Sequence, residues 1–456
     1  MKITPVILAA GQGTRMRSDI PKVLHPLMGR PMVWYAIQAV QEVSHERPVL
    51  ITGHGGQAVR QAVGQAADFA LQEPQLGTAH AVKQAEPLLR DSTDLVLVTC
   101  ADMPLLTPDT LKQLVQAHLD QMEQDEQQTP VTLLTVKSAD PRGFGRIIHN
   151  ADGHVIAIVE ENEATPEQLQ INELNAGVYC FTSRWLWGAL DRISLSSKGE
   201  YYLTDLASLA VEQGYRVQAL VAADPDEAIG INTRLHLAEA ETILRNRKNQ
   251  ALMLSGVTLI DPATTYIEGK VEIGRDTVIW PNTFLQGDTI IGESCIIGPN
   301  AIIRNTRIGD RSQVYASVLE GAVVEEDVDI GPFAHLRSGA HLARGVHMGN
   351  FGEVKDSYLG PGTKMGHFSY VGNTTTGSKT NIGAGTITCN YDGERKHPTE
   401  IGEGVFIGSD TMLVAPLKIG DRARTGAGSV VTKDIPADSL AVGVPARVIK
   451  KFERRD

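Results

Sequence analysis

"IGRDTVIWPNTFLQGDTIIGESCIIGPNAII", Ile273–Ile303, carries an aliphatic residue at every sixth position: Ile273, Ile279, Leu285, Ile291, Ile297 and Ile303. A period of six is neither the 3.6 of a helix nor the 2 of a strand. It is the signature of a parallel β-helix, a triangular coil with one short flat side per hexad. The aliphatic side chain points to the axis, small residues such as the Gly after Ile273, Ile291 and Ile297 permit the corner, and stacked coils bury one continuous core. The frame starts at Ile267. After a slip of one it continues through Ile308 and Val314, then Val324, Ile330, Leu336, Leu342, Met348 and Val354, and then Leu359, Met365 and Val371. It returns at Ile401, Ile407, Leu413 and Ile419 and ends near Val431. The hexad breaks at "GAGTITCNYDGERKHPTE", Gly383–Glu400. Loops inserted into solenoids often carry binding residues. Periodicity alone leaves open whether the coil is a site or only a scaffold.

Upstream the grammar differs. "PVILAAG", "PVLITGHG", "DLVLVTCAD", "VTLLTV", "HVIAIVE" and "NAGVYCF" read as strands. "PMVWYAIQAVQEV" and "TPDTLKQLVQAHLDQM" read as amphipathic helices, the second capped by Thr107 with Pro108 in its first position. Alternation of this kind predicts an α/β domain with a mainly parallel sheet, whose ligands collect at the carboxyl ends of the strands. "NTRLHLAEAETILRNRKNQALML", Asn232–Leu254, reads as a long connecting helix. The expected organisation is a first domain at 1–230, a connecting helix at 231–254 and the coil at 255–456.

A chain of 456 residues exceeds one core and agrees with this division. Residues 1–230 carry 17 basic and 28 acidic side chains, whereas 231–456 carry 25 and 26. An acidic protein is a poor general nucleic-acid binder. No apolar run reaches the ~18 residues that span a bilayer, and nothing resembles a secretory signal. The four cysteines, at 100, 180, 295 and 389, form no CxxC pair, which points to reduced thiols and a cytoplasmic protein.

The first predicted strand runs into "ILAAGQGTRMRSDIPK", Ile7–Lys22. This is neither GxxxxGK[ST] nor a complete GxGxxG, since Met16 stands where the third Gly belongs. By itself such a loop is more often a tight strand-to-helix turn than a site. The flanking Arg15 and Lys22 add fixed positive charge, which a reaction at phosphorus requires, and Gly11 and Gly13 let backbone N–H groups approach phosphates.

With those residues the loop resembles the signature of sugar-1-phosphate nucleotidyltransferases. Joined to a hexapeptide coil with "GHFSYVGN" and "NIGAGTITCNYDG", the whole chain resembles the bifunctional GlmU family. The resemblance implies a Rossmann-like α/β nucleotidyltransferase domain followed by a left-handed parallel β-helix. It also implies two reactions: acetylation of glucosamine-1-phosphate by acetyl-CoA, then UMP transfer from UTP to N-acetylglucosamine-1-phosphate.

For the uridylyl reaction the resemblance places Leu8, Ala9 and Gly11 against the nucleotide, Arg15 and Lys22 on phosphates, and Gln72, Gly77 and Thr78 on the uracil. Asp102 and Asn232 match magnesium ligands; two hard oxygens completed by phosphate and water suit Mg²⁺. Gly145, Glu160, Asn175 and the Tyr201–Tyr202 pair fall on the sugar side, Asn232 also bordering it. The chain departs from the family pattern at Ala101, usually Gly, at Ala176, commonly Thr, and in "EENEA", which lacks a Lys two residues after Glu160. For acetyl transfer the resemblance implies His367 as the base, Arg337, Lys355 and Lys396 on the sugar phosphate, and Tyr370 and Asn381 holding the sugar. It gives Ala384 a backbone amide for the oxyanion and lines the acetyl-CoA site with Asn390, Tyr391, Ser409 and Ala427. Gly443 stands where some relatives have a basic CoA residue, leaving Arg447 or Lys450 in the basic tail 443–456 as substitutes. The family packs as homotrimers with the acetyl site built from neighbouring subunits. Two rivals remain: a single-activity sugar nucleotidyltransferase with the coil as scaffold, and a catalytically silent assembly subunit. "TCNYDGERK" and the His367–Tyr370 pair argue against the first, and joint retention of Arg15, Lys22, Asp102 and His367 against the second.

Overall fold

Nine strands, most of them rich in Val, Ile and Leu, form one sheet in the first part of the chain, in a computed structural model that describes residues 1–124 and 129–452. They are β1 (Ile3–Ala9), β2 (Val49–Thr52), β3 (Asp68–Leu71), β4 (Leu95–Cys100), β5 (Val131–Lys137), β6 (Arg146–His149), β7 (Val155–Val159), β8 (Glu173–Thr182) and β9 (Val217–Val221). Their order is β3-β2-β1-β4-β8-β5-β9-β7-β6. Alternate residues feed two cores. Val6, Val49 and Val98 enter one, and Ile7, Leu50 and Leu97 the other, so helices cover both faces.

The parallel pairing expected from the sequence holds for β3-β2-β1-β4 and for β5 with β9. β8 instead lies antiparallel between β4 and β5, and β6 and β7 form an antiparallel pair at the edge. An apolar run fixes that a strand is buried, not which way it points. Three strands, β3, β6 and β9, escaped the sequence reading because each is short or half-polar. The helix Pro108–Gln124 starts as expected, with Thr107 Oγ1 accepting the Thr110 N–H at 3.3 Å.

Contact density divides the chain into Met1–Leu244 and Arg245–Asp456. The division falls inside the helix Arg234–Leu254. Within the first unit that helix packs Leu237, Ala240, Ile243 and Leu244 against Leu27, Met32, Leu105 and Ile231.

The second unit is a parallel β-helix. Its short strands stack into three sheets, each strand pairing in parallel with its counterpart about one coil later, as in Ile279↔Ile297↔Val314↔Ile330↔Met348↔Met365. Nearly every aliphatic residue of the hexad frame is buried; Ile273 is only half-buried, near the first coil. The frame is more continuous than the hexad count from the sequence. Leu319 fills the slip before Val324, while Thr376, Thr388 and Thr425 point inward where an aliphatic residue is missing.

Backbone chemistry accounts for these threonines. In ordinary coils the Gly after the inward residue donates its N–H to a carbonyl one coil on, as Gly349 does to Met365 and Gly377 to Ile401. At the threonine coils the hydroxyl accepts instead: Thr376 from Gly360 N–H at 2.9 Å, Thr388 from Gly372 at 2.7 Å and Thr425 from Gly408 at 2.8 Å. A buried N–H requires a partner, and threonine supplies one at nearly valine's size. Glycine follows the inward residue for a reason of space. A Cβ on Gly349 would overlap the Gly366 carbonyl of the next coil.

Candidate functional sites

Three strands of the parallel half, β1, β3 and β4, end on one side of the first unit. The segments that follow them line a cleft of about 730 Å³. Gly11 borders it, and a Cβ there would meet nothing within 4 Å, so the backbone is open to a ligand. Gly13, at φ 65°, opens the short turn Thr14–Met16 and packs directly on the stem of Lys22.

Lys22 lies at the centre of the cleft's charge. Its Nζ is 2.6 Å from Asp102 Oδ2 and 3.1 Å from Asn232 Oδ1. Both side chains of the ion pair are mostly buried. The backbone builds this meeting point: Ala101 N–H donates to the Leu8 carbonyl, and Ile231 N–H to the Asp102 carbonyl at 2.8 Å. The two oxygens therefore converge on one cationic point, as hard ligands for a small divalent ion should. Among the described residues no cluster of three or more His, Cys, Asp or Glu could hold a metal.

On the opposite wall, buried Gln72 donates from Nε2 to the Gly77 carbonyl at 2.9 Å. Gly77 has φ 97°, and a Cβ there would collide with the Tyr201 backbone, so no other residue fits. Thr78 Oγ1 accepts the Leu203 N–H at 3.0 Å. The proposed uracil loop is thus bolted to the Tyr201–Leu203 segment. Glu160 accepts from Thr204 Oγ1 at 2.9 Å; burial, with Glu163 and Glu200 nearby, raises its pKa. Asp205 is pushed up to about 6 by burial and by Glu163 and Glu160.

Leu8, Ala9, Gly11, Arg15, Lys22, Gln72, Gly77, Thr78, Asp102, Glu160 and Tyr202 all line the cleft. Gly145 and Asn175 lie outside that lining but join each other, Asn175 N–H donating to the Gly145 carbonyl at 2.9 Å. Asn175 stands at an irregularity of β8 and donates from Nδ2 to the Tyr179 hydroxyl at 2.7 Å. The sequence reading missed Gln75, whose side chain donates to the Ala10 carbonyl and shapes the glycine loop, and Cys100 in the cleft wall. Burial and Asp102 push the Cys100 thiol up to about 12, which favours the protonated form.

The coil holds a second constellation. His367, Ala384, Ser409 and Ala427 each stand two residues after the inward residue of their coil, so they stack along one corner. His367 is exposed. The strand Ser369–Gly372 then leads across one face, with Tyr370 outward, to a column of cations. Arg337 and Lys355 follow the paired residues Leu336 and Val354. Lys396 comes from the inserted loop and reaches Lys355; it and then Arg337 hold the Lys355 ammonium below the ordinary lysine range. Counter-charges differ: Lys396 lies a loose 3.9 Å from Asp356, whereas Arg337 is tightly paired with Glu353 at 2.9 Å.

The insertion is shorter than the sequence break implied, because Ile387–Cys389 still forms a strand. The loop proper is self-capped. Asp392 accepts from the N–H groups of Glu394 and Arg395, each at 2.8 Å, and from His397 Nε2 at 2.6 Å. Beyond it Thr374–Thr376 still pairs with Thr399–Ile401. Asn390 Nδ2 donates to Asn373 Oδ1 at 2.7 Å, and Tyr370 and Asn390 close over Gly372. Tyr391 is exposed and bridges to Lys396. Asn381 points outward beside Lys364. Arg447 and Lys450 lie on an exposed C-terminal hairpin; residues 453–456 of the basic tail lie outside the described residues.

Residues 4–255 match the nucleotidyl transferase family, and residues 270–305 and 398–433 match the bacterial transferase hexapeptide repeat. Over 442 residues the chain is 47% identical to a bifunctional protein GlmU of Heliobacterium modesticaldum, covering 97% of this chain and 95% of that one. The GlmU protein of Geotalea uraniireducens is 46% identical over 453 residues, 98% of both chains. The chain belongs to the bifunctional GlmU family. It is a two-module transferase enzyme, and the two constellations fall one in each module.

Set against the GlmU pattern, Ala101 is accommodated. Its backbone does not adopt positive φ, and its methyl is fully buried in the core behind the cleft. Ala176 is likewise buried rather than presented to a ligand. The cation column of the GlmU coil makes a pH prediction. Lys355 is a base whose pKa is lowered by neighbouring cations. An anion between them favours the charged form, so binding draws in a proton at alkaline pH. KM for a sugar phosphate in acetyl transfer should rise with pH, starting below the range in which an ordinary lysine titrates. Lys355→Ala should raise KM at neutral pH and flatten that limb. An unchanged slope in the variant would show that Lys355 does not bind the phosphate.

Proposed function

We propose that the coil acetylates glucosamine-1-phosphate and that the first module then converts N-acetylglucosamine-1-phosphate and UTP to UDP-N-acetylglucosamine and pyrophosphate. What carries this reading is the pair of separate charged sites, Lys22 beside the converging oxygens of Asp102 and Asn232 in one module and the cations Arg337, Lys355 and Lys396 in the other.

In uridylyl transfer a phosphate oxygen of the sugar attacks the α-phosphorus of UTP in line, and pyrophosphate leaves. No covalent protein intermediate is needed; positioning and charge neutralisation suffice. Arg15 and Lys22 offset the phosphate charge, Gln72 and the Gly77–Thr78 backbone select the base, and Glu160 and Asn175 orient the sugar. Asp102 and Asn232 would hold Mg²⁺, which supplies Lewis-acid charge at the phosphates.

In acetyl transfer the sugar amine attacks the thioester carbonyl, His367 takes the ammonium proton as the bond forms, and CoA leaves. The Ala384 amide stabilises the oxyanion, and Ser409 and Ala427, further along the same corner, hold the coenzyme. The sugar phosphate lies across the face from His367 to the cation column, with Tyr370 between. That face is a flat strip, and a neighbouring copy of the chain supplies its wall. The stacked and exposed Phe333 and Phe351, with exposed Phe368 beside His367, favour such packing. The assembly is read as a homotrimer acting in the cytoplasm on small molecules. No helix among the described residues is long and apolar enough to cross a membrane.

A coupled assay tests the scheme. With UTP, acetyl-CoA, Mg²⁺ and glucosamine-1-phosphate the chain should release both CoA and pyrophosphate. A chelator should stop pyrophosphate and spare CoA. Sedimentation should place acetyl transfer in the trimer alone. Pyrophosphate released from glucosamine-1-phosphate at full rate without acetyl-CoA would reverse the proposed order.

A further inference from the structure

The turn Gly143–Phe144–Gly145, which presents Gly145 to the sugar side, is held at both ends by arginines that no sequence motif marks as site residues. At its start Arg142 makes a bidentate pair with Glu239, Nη1 to Oε2 at 3.1 Å and Nη2 to Oε1 at 2.6 Å. Arg142 adopts φ 46°, a left-handed conformation that a non-glycine residue keeps only when its surroundings impose it. Asp140, 3.2 Å from Arg142 Nε, braces the same guanidinium.

At the other end Arg146 is 1% exposed. It donates to the Phe144 carbonyl of the turn itself, and its Nη2 lies 3.5 Å from Glu161 Oε1. Its Nε is buried with no hydrogen-bond partner. A buried guanidinium is costly and weak as a stabiliser of folding, so its retention calls for another reason. Each of its neighbours abuts a sugar-side residue. Gly145 precedes it, Glu161 follows Glu160, and its strand partner Leu174 precedes Asn175.

We propose that Arg142 and Arg146 are positioning residues for the sugar-phosphate subsite, two arginine–glutamate clamps that fix the Gly143–Gly145 turn against Glu160 and Asn175. The inference rests on the uridyltransferase reading above. Glu239 adds a second consequence. It sits on the helix Arg234–Leu254, and Asn232, the metal-side oxygen, lies two residues before that helix begins. The clamp therefore anchors the sugar turn on that helix.

The test is steady-state uridylyl transfer by the full-length chain carrying Arg142→Ala, Glu239→Ala, the double substitution, Arg142→Lys or Arg146→Met. Each single loss should raise KM for N-acetylglucosamine-1-phosphate about tenfold, since small misplacement of a binding turn is costly. KM for UTP should stay within about twofold and acetyl transfer should be unchanged. The double variant should be no worse than either single one, because one contact is lost. Arg142→Lys should rescue little, as an ammonium cannot reproduce the fork. Thermal melting screens Arg146→Met for folding; the partly exposed Arg142–Glu239 pair keeps the test open if it fails. A parallel rise of both KM values, additive loss in the double variant, or an unmoved sugar KM in the Arg142 and Glu239 variants would overturn the proposal. A wild-type chain unable to use N-acetylglucosamine-1-phosphate would overturn the parent reading, and this one with it.

Discussion

Asp102→Asn is expected to cut kcat/KM for uridylyl transfer about a thousandfold while acetyl transfer stays within about twofold of wild type. Removing one preorganised electrostatic group from a transition state costs roughly 10²–10³ in rate. Asp102 belongs at the upper end because two functions fail together. The carboxylate is one of two oxygens that converge on the point proposed for the metal, and it also fixes Lys22 at 2.6 Å. Asparagine keeps the shape and its carbonyl still accepts the Ile231 N–H, so the sheet should fold as before. Far-ultraviolet circular dichroism and the acetyl assay together check this. Equal loss of both activities with the fold intact would end the division into two independent sites.

The converse is expected of His367→Ala, with acetyl transfer falling by about 10²–10⁴, the usual worth of a positioned general base, and uridylyl transfer unaffected. The residue is exposed at a corner of the coil, so its removal leaves no cavity and exposes no buried partner. Loss of rate therefore reports chemistry rather than collapse. The loss should appear in kcat more than in KM for the sugar phosphate, because the cations proposed to grip the phosphate stand at the far side of the same face. A variant that keeps more than about a tenth of the acetyl rate would hand the proton to another group.

The two variants also mark how far the sequence could be read. The coil was legible because its constraint is local and periodic: each inward position must be apolar, and each turn after it small. It failed at Thr376, Thr388 and Thr425, where inward threonines satisfy backbone N–H groups that the aliphatic coils satisfy otherwise. Strand direction in the first module was not legible, since β8 inserts antiparallel through contacts made by residues distant in sequence. The glycine loop could be seen from Gly11, Arg15 and Lys22. That Lys22 would meet Asp102 and Asn232, 80 and 210 residues away, could be expected only from resemblance to relatives. Gln75, Arg142 and Arg146 escaped because a long polar side chain in a loop has the same appearance in sequence whether it is solvated or clamped.

The stacked corner that carries His367, Ala384, Ser409 and Ala427 has an architectural result. Neighbouring strands lie ~4.8 Å apart, so groups mounted on successive turns are set at whole multiples of that pitch. Height along such a column is quantised: losing or gaining a turn shifts every later group by one full step, and no single substitution can tune the interval. Lateral additions are free by comparison, as the 390–397 excursion shows by rejoining the stack in register. A ligand read by this column is measured in turns, which makes reach along the axis the least evolvable dimension of the molecule.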